Sequence, residues 1–186
     1  VQDLISLNYR RALPFLSARQ RLVYDIELPR IEAYEGRVLA QAAACTLVGS
    51  VDLTEARARA PHADLRLLGN GVDVEHFCRP AGVRAHRDRL VFLGNLRTLS
   101  NRDMVRHLAS EIMPRIDHPG AHLRVVGTQC PPEIDALHDG RRVEIVGAVD
   151  EPRVHLWGAW ATVCPMRFGA GVANKVLESL AAGTPA

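Results

Sequence analysis

Lysine is almost absent from this chain of 186 residues: Lys175 is the single lysine among 23 basic residues, and arginine supplies the others. The formal net charge is only +2, and the arginines form no dense basic run with interleaved aromatic residues. This pattern argues against a nucleic-acid-binding surface. The chain also lacks an apolar run near the roughly 20 residues that cross a bilayer, and no secretory leader pattern opens it. These absences favour a cytoplasmic protein.

Cysteine spacing excludes two further classes of protein. The four cysteines show no C-x-x-C pair and lie far apart, at positions 45, 78, 130 and 164, so we expect reduced thiols and not a disulfide or zinc framework. His118 and His122 have a spacing that would suit two metal ligands on a helix, but Pro119 and Gly120 between them break such a helix. The sequence therefore predicts no metal site.

What the chain does contain is a regular alternation of short apolar runs and helical patterns. The runs rich in β-branched residues predict buried parallel strands, at Cys45–Val48, Leu65–Leu68, Leu90–Leu93, Leu123–Val126, Val143–Val146 and Ala161–Cys164. The clearest helical stripe lies in Asn101–Met113, with Ser100 or Asn101 as its expected N-cap. The alternation predicts an α/β fold with a Rossmann-like, doubly wound parallel sheet.

The first part of the chain has a different pattern. Arg19–Ala44 is a long, charge-dense helical stretch, in which Pro29 predicts a kink or a break. The turn-rich segment from Gly69 to Arg89 predicts a linker between domains. We therefore expect two parts, one on each side of this linker, with ligands at the carboxyl ends of the strands of the second part.

Lys175 lies where a glycine-rich loop leads into a predicted helix, Val172–Ala182. A cation in the first turn of a helix opposes the helix dipole. An anion bound to the free N–H groups of that turn would remove the conflict, as phosphate does where a glycine loop enters a helix. The alternative is a surface ion pair between Lys175 and Glu178. Gly94, Gly127 and Gly147, which end three predicted strands, favour close ligand approach at the same edge, although tight turns alone would also explain them.

An ordered set of motifs resembles the family 4 glycosyltransferases of the GT-B fold, especially the bacterial sugar transferases of exopolysaccharide loci. The motifs are Asn70-Gly-Val-Asp73 with Phe77, Val91-Phe-Leu-Gly94-Asn95, Pro114-Arg-Ile116, Arg124-Val-Val-Gly127, Val146-Gly-x-Val149, Cys164-Pro165 and Gly169-x-Gly171-x3-Lys175-x2-Glu178-x3-Ala182-Gly-Thr-Pro185. The resemblance implies two Rossmann-like domains that face each other across a cleft. Residues 1–75 would end the acceptor-side domain, and residues 76–186 would form a C-terminally truncated nucleotide-sugar-binding domain.

The resemblance also implies roles for individual residues. Glu178 corresponds to the glutamate that binds the ribose hydroxyls of the donor, a role that suits a carboxylate acceptor. The residues implied to bind the donor diphosphate are Gly94, Arg167, Gly169, Gly171 and Lys175. Gly147 and Val149 correspond to the border of the nucleobase. No cofactor or metal is implied, because the nucleotide-diphosphate sugar is a co-substrate and basic groups take the place of a cation.

The chain departs from the family pattern in two respects. Ala170 stands where the family has an acidic residue that contacts the donor sugar. Asn95, Ser100 and Asn101 stand near the positions of a family arginine and lysine, for which Arg97 or Arg102 are possible substitutes. The family's catalytic histidine would lie before Val1, so the catalytic residues are not identified and we expect the chain alone to be inactive.

The function expected from the resemblance is transfer of a sugar, with retention, from a nucleotide-diphosphate sugar to the hydroxyl of a saccharide or lipid-linked acceptor. We expect a role in bacterial cell-surface polysaccharide synthesis, in the cytoplasm or peripherally at the inner face of the membrane. Two alternatives stay open: a non-catalytic GT-B module that binds a nucleotide sugar or a protein, and a sugar-nucleotide epimerase, which shares the fold. A dehydrogenase is disfavoured because no G-x-G-x-x-G follows the first strand.

Overall fold

The computed structural model describes residues 3–169 and 172–186, and the chain divides into two compact units. The first unit comprises Val1–Asn70 with Phe168–Val172, and the second comprises Gly71–Arg167 with Ala173–Ala186. The sequence-based division into 1–75 and 76–186 stays a prediction about the domains of the whole protein. None of the helices in the described ranges combines the length and the apolar character that a membrane span requires.

In the part of the first unit that the structure describes, two short parallel strands pack with three α-helices. In chain order its elements are α1 (Ile5–Ala12), a 3-10 turn (Leu13–Phe15), α2 (Ala18–Gln41), β1 (Cys45–Leu47), α3 (Ser50–Arg59) and β2 (Leu65–Leu67). Strands β1 and β2 are parallel, with Cys45 opposite Leu65. Helix α3 connects them, as parallel pairing requires. The predicted strands at Cys45–Val48 and Leu65–Leu68 are confirmed, each one residue shorter than expected.

Of the two outcomes predicted at Pro29, a kink or a break, the break is wrong, because α2 is one helix of 24 residues that contains this proline; the kink stays a prediction. Proline removes one N–H, and the carbonyl that this N–H would have bonded belongs to Asp25. Both residues are exposed, so water can satisfy that carbonyl. The start of the helix is fixed by a reciprocal capping box, in which the Ser17 hydroxyl accepts from the Gln20 N–H and the Gln20 side chain accepts from the Ser17 N–H.

The second unit is built on a four-stranded, fully parallel sheet in the order β5-β4-β3-β6. Its elements are α4 (Val74–Phe77), β3 (His86–Leu93), α5 (Leu99–His107), which continues as a π turn (Leu108–Ile112) and a 3-10 turn (Met113–Arg115), β4 (His122–Val126), α6 (Pro132–Asp135), β5 (Val143–Gly147), α7 (Arg153–Trp157), β6 (Ala159–Thr162) and α8 (Asn174–Ala181). The predicted parallel neighbours are therefore confirmed.

Helices cover both faces of this sheet. Side chains of β3 alternate between two cores: Phe92 packs with Met104, Val105 and Leu108 of the α5 region, whereas Val91 packs in a second core. That second core includes Leu156 of α7 and Ala182 at the end of α8. Alternation along a strand that is buried on both faces produces the continuous apolar pattern seen in the sequence.

Several predicted boundaries need correction. Helix α5 begins at Leu99, with Thr98 at the N-cap position, so Ser100 and Asn101 lie inside its first turn. The reason is an earlier turn at Asn95, whose carbonyl accepts from the Thr98 N–H and whose side chain accepts from the Arg97 N–H. The chain is thus helical from Leu99 onward.

The last strand and the last helix also differ from the expected ranges. Strand β6 covers Ala159–Thr162 instead of Ala161–Cys164, because Pro165 cannot extend a ladder and the chain turns with the Met166 N–H bonded to the Cys164 carbonyl. Helix α8 begins at Asn174, after Ala173 at the N-cap position, and not at Val172.

Much of the predicted linker is packed against the second unit. The Trp157 indole N–H donates to the Phe77 carbonyl over 2.7 Å, and Arg153 donates to the His76 carbonyl over 2.7 Å. Arg79 donates to the Thr184 hydroxyl over 2.9 Å. These bonds make the segment around α4 an integral part of this unit.

Candidate functional site

The carboxyl edge of the second sheet is formed by three closely packed glycine positions. The Gly94 N–H bonds to the Val126 carbonyl over 3.1 Å, and the Gly127 N–H bonds to the Gly147 carbonyl over 2.8 Å. A Cβ atom on Gly127 would lie 1.9 Å from the Gly94 carbonyl oxygen, which no side chain can occupy. Gly147 has φ +79°, a conformation that favours glycine. The predicted meeting of the strand-end glycines at one edge is confirmed.

A cavity of about 220 Å³ opens at this edge. Its walls are mostly apolar, and Glu178 contributes the carboxylate among its lining residues, which are Leu93, Gly94, Val126, Gly127, Thr128, Val149, Pro152 and Glu178. A concave apolar site with a few polar groups is the usual form of a small-molecule site. Two predicted site residues besides Glu178 therefore line it: Gly94 and Val149.

The loop after β3 is held rigidly beside the cavity. The Leu96 N–H bonds to the Thr128 carbonyl over 2.9 Å, and the Leu96 side chain is fully buried. The Thr98 hydroxyl donates to the Asn95 carbonyl over 3.1 Å. These bonds fix the backbone around Gly94 before any ligand arrives.

Helix α8 is anchored by a buried hydroxyl pair. Ser179 Oγ lies 2.6 Å from Thr162 Oγ1 and 2.7 Å from the Lys175 carbonyl oxygen. Ser179 and Thr162 are both buried, so each hydroxyl depends on this arrangement for a partner. The pair connects α8 to strand β6 and, through the Lys175 carbonyl, fixes the position of the Lys175 backbone.

The Lys175 ammonium lies next to Gly94, which is one of the residues that line the cavity. Nζ donates to Asn101 Oδ1 over 2.8 Å and lies 4.1 Å from the centroid of the Phe92 ring. A Cβ atom on Gly94 would be 3.0 Å from Nζ. Burial lowers the pKa of Lys175 from its ordinary value, while Cys164 and Glu178 act in the opposite direction. The geometry is that of a cation held by an amide and an aromatic face.

Glu178 lies one turn further along α8 and lines the cavity. Burial raises the pKa of this carboxyl group, and the nearby positive charge of Lys175 partly opposes the rise. The alternative of a surface ion pair is not what the structure shows, because the ammonium is directed to Asn101. Both side chains are partly buried.

The cavity lining does not include the other predicted site residues that the structure describes, which are Lys175, Arg167, Gly169 and Gly147. Arg167 forms a two-pronged ion pair with Asp103 of α5, with Nε 2.9 Å from Oδ2. Gly169 is grouped with the first unit, where its carbonyl accepts from Arg11 Nη1 over 2.8 Å. Gly171 and Ala170 lie outside the described residues. The diphosphate roles of Arg167, Gly169 and Gly171 stay predictions, as does the nucleobase role of Gly147.

The sequence analysis did not identify the residues that contact the charged groups of Lys175 and Arg167. Asn101 and Asp103 follow each other at a spacing of two in α5 and contact Lys175 and Arg167, which are 74 and 64 residues away. The N-x-D pair after a strand-end glycine was visible in the sequence, but its partners were not. In the ranges 3–169 and 172–186, no group of three His, Cys, Asp or Glu side chains is arranged to hold a metal ion.

Comparison with solved structures identifies the architecture. The chain superposes on the crystal structure of TarM with a TM-score of 0.67 at 11% identity, covering 84% of this chain and 31% of that one. It matches equally well a mutant of S. aureus TarM in complex with fondaparinux, alpha-GlcNAc-glycerol and UDP, at 10% identity with the same coverage. The expected GT-B fold is thereby confirmed, and the chain spans about a third of the length of these structures.

Comparison with sequences identifies the family. No curated protein matches the chain. The family model described as "Glycosyl transferases group 1" matches residues 87–186, a range that contains the sheet of the second unit, the cavity and helix α8. With more than half of its residues matched, the chain belongs to the glycosyl transferases of group 1.

Proposed function

We propose that the whole protein transfers a sugar from a nucleotide-diphosphate sugar to an acceptor hydroxyl, and that the second unit binds the donor. The observation that carries the proposal is that Gly94 and Glu178 line one cavity at the carboxyl edge of a parallel sheet, and that the Lys175 ammonium lies beside Gly94. Ligands of open α/β sheets bind at this edge. Membership of the glycosyl transferases of group 1 supplies the reaction class.

The charges of the site suit the two ends of such a donor. In the transfer, the bond between the sugar carbon and the diphosphate oxygen breaks, the acceptor oxygen takes its place and the acceptor proton is lost. Negative charge then increases on the departing diphosphate, and a fixed cation beside it stabilises the transition state. Lys175 is this cation in the proposal. The Glu178 carboxylate accepts hydrogen bonds from the ribose hydroxyls, while Val149 and Pro152 border the nucleobase.

The proposal extends to the setting of the reaction. The acceptor is a saccharide or a lipid-linked saccharide of cell-surface polysaccharide synthesis, and the protein acts in the bacterial cytoplasm or at the inner face of the membrane. Groups that act on the reacting atoms come from parts of the protein outside this chain. No metal ion or cofactor is part of the proposal, because Lys175 and backbone N–H groups meet the charge of the diphosphate.

Turnover by the full-length protein tests the proposal and separates it from its alternatives. The protein is incubated with UDP-, GDP- and ADP-sugars and a set of saccharide acceptors, and released nucleoside diphosphate and elongated acceptor are quantified by chromatography. Release that depends on the acceptor, and that falls with Glu178→Gln, supports sugar transfer. Conversion of the donor into its epimer without acceptor would establish an epimerase instead. Nucleotide binding without either reaction would establish a non-catalytic module.

A further inference from the structure

The first turn of α5 contains an amide whose orientation is set by two partners of opposite character. Asn101 Nδ2 donates to the Asn95 carbonyl over 2.8 Å, and Asn101 Oδ1 accepts from Lys175 Nζ over 2.8 Å. A carbonyl can only accept and an ammonium can only donate, so the reversed amide would satisfy neither contact. Asn101 thus links the loop after β3 to the lysine of α8 in one fixed arrangement.

The space around this amide is also tightly limited. A Cβ atom on Gly94 would lie 2.8 Å from Asn101 Nδ2 and 3.0 Å from Lys175 Nζ. The absence of a side chain at Gly94 is therefore what lets the amide and the ammonium lie against the strand end. The same strand end lines the cavity, so the cation is held beside a residue of the cavity wall.

Helix α5 contacts two cations, Arg167 and Lys175, with two side chains of different charge. Asp103 neutralises Arg167 with a carboxylate. Asn101, two residues earlier, meets Lys175 with an uncharged oxygen, and the Phe92 ring face meets it from another side. An amide and a ring stabilise a cation without cancelling its charge. Apart from the nearby charge of Glu178, the charge of Lys175 therefore remains available to an anion, whereas Arg167 has a two-pronged carboxylate partner.

We propose that Asn101 is a positioning residue for the donor: its neutral amide fixes the Lys175 ammonium beside Gly94 and leaves the charge available to the diphosphate. This inference rests on the proposed donor site. It states why the residue at position 101 is an amide, since aspartate has the same size but would form an ion pair with Lys175 and repel the ligand. Asn101 acts through Lys175 and does not itself touch the donor.

A double-mutant cycle in the full-length protein tests this role. Calorimetric titrations use whichever of UDP, GDP and ADP binds the wild type most tightly, together with inorganic pyrophosphate. Asn101→Ala should weaken both ligands about tenfold, the usual effect of losing a hydrogen bond to a charged group. In the Lys175→Met background the same substitution should have almost no further effect. Asn101→Asp should weaken both ligands more than Asn101→Ala does.

The charge state of Lys175 provides a second readout that a purely structural role would not move. The ¹³Cε NMR signal of Lys175 is assigned as the one missing from Lys175→Met, and its titration is followed with pH. Asn101→Asp should raise the pKa of Lys175, because a carboxylate replaces a neutral acceptor. Ser110→Asp adds the same charge at an exposed position that follows α5 and should change neither this pKa nor ligand affinity.

The possible failures are distinct. If neither the nucleoside diphosphates nor pyrophosphate bind the wild type, the proposed donor site is wrong. If Lys175→Met weakens binding but Asn101→Ala does not, the donor site stands and the positioning role is overturned. Equal losses from Asn101→Ala with and without Lys175 would also overturn it, because the amide would then act on the loop alone.

Discussion

Replacing Lys175 with methionine tests the donor site most directly, because it removes the charge and keeps an unbranched side chain of similar length. The ammonium lies beside Gly94, which lines the cavity, and in the proposed complex a diphosphate oxygen lies about 4 Å from it. Two unit charges at that distance interact by about 4 kcal/mol at an effective dielectric constant near 20. Desolvation offsets part of this, and a charge-assisted contact contributes about 1.5 to 3 kcal/mol net. We expect Lys175→Met to weaken nucleoside diphosphate binding by that amount.

The stability of the ligand-free protein should change far less. The substitution removes the bond to Asn101 and the contact with the Phe92 ring, which lowers stability. It also removes a partly buried charge that opposes the dipole of α8. These contributions are each about 1 kcal/mol and opposite in sign, so the free energy of unfolding should shift by less than about 1 kcal/mol. A much larger loss would show that Lys175 has a structural role.

Glu178→Gln separates the two ends of the ligand. The substitution should weaken a nucleoside diphosphate by about 1 kcal/mol, since a carboxylate that accepts from ribose hydroxyls becomes an amide. Free pyrophosphate has no ribose, and its affinity should stay constant or rise slightly as a negative charge leaves the site. Lys175→Met should weaken both ligands. This split between two ligands cannot arise from general damage to the fold.

The assay is isothermal titration of the full-length wild type and variants with UDP, GDP, ADP and pyrophosphate. Arg84→Met serves as the matched control, because it removes one positive charge from an exposed position of the second unit. Its affinity should equal that of the wild type. Unchanged affinity in both Lys175→Met and Glu178→Gln would refute the donor site. If Arg84→Met weakened binding as much as Lys175→Met, the effect of Lys175 would be one of overall charge and not of a specific site.

Three further predictions follow from the packing and charges of the second unit. Gly127→Ala should lower the free energy of unfolding by at least about 3 kcal/mol, because its Cβ would lie 1.9 Å from the Gly94 carbonyl oxygen; chemical denaturation measures it. Ser179→Ala should cost about 1 to 3 kcal/mol by stranding the buried Thr162 hydroxyl, and adding Thr162→Val should recover part of that loss. Nucleoside diphosphate affinity should fall as pH rises towards the ordinary lysine pKa of 10.5, since burial lowers the pKa of Lys175.

The pH prediction has a sign that distinguishes binding from folding. A lowered pKa means that the folded state releases the Lys175 proton before the unfolded state does, so the contribution of this group to stability increases as pH rises through that window. Ligand affinity decreases over the same window. Lys175→Met should abolish both trends. Wild-type affinity that is flat over this range would contradict the role of the ammonium, and a Gly127→Ala protein as stable as wild type would contradict the close approach at the sheet edge.

The sheet could be predicted because the end of its inner strand β3 is buried on both faces. Val91, Phe92 and Leu93 are all buried and apolar, so this run is visible in the sequence without knowledge of its partners. Helix boundaries were less predictable where a potential capping side chain forms a tertiary contact. Asparagine is a common N-cap residue, but the Asn101 side chain contacts Asn95 and Lys175, and the helix begins two residues earlier, at Leu99. Pro29 does not end the helix, because the Asp25 carbonyl that loses its hydrogen bond belongs to an exposed residue and can bond to water.

The candidate site could be predicted from sequence only where the signal lies within one short segment of the chain. Glycine at a strand end and lysine in the first turn of a helix are local signals, and the structure brings Gly94 and Lys175 together. The contacts of Asn101 and Asp103 depend on the order of strands in the sheet, which determines that α5 lies beside the start of α8. No window of sequence contains that information.

The setting of Lys175 also accounts for the one lysine in a chain whose other basic residues are arginines. Among the residues that the structure describes, the ammonium has one hydrogen-bond acceptor, Asn101 Oδ1, with a ring face at 4.1 Å and a strand end without a side chain at Gly94. A compact charge with rotatable donors fits that space, whereas a guanidinium is a planar fork with five N–H groups that needs acceptors arranged to match. At the exposed end of the same loop, where a carboxylate offers two oxygens, the chain uses Arg167. The choice between the two basic residues therefore follows the geometry of their partners: a two-pronged carboxylate pairs with Arg167, and an amide oxygen holds the ammonium beside Gly94.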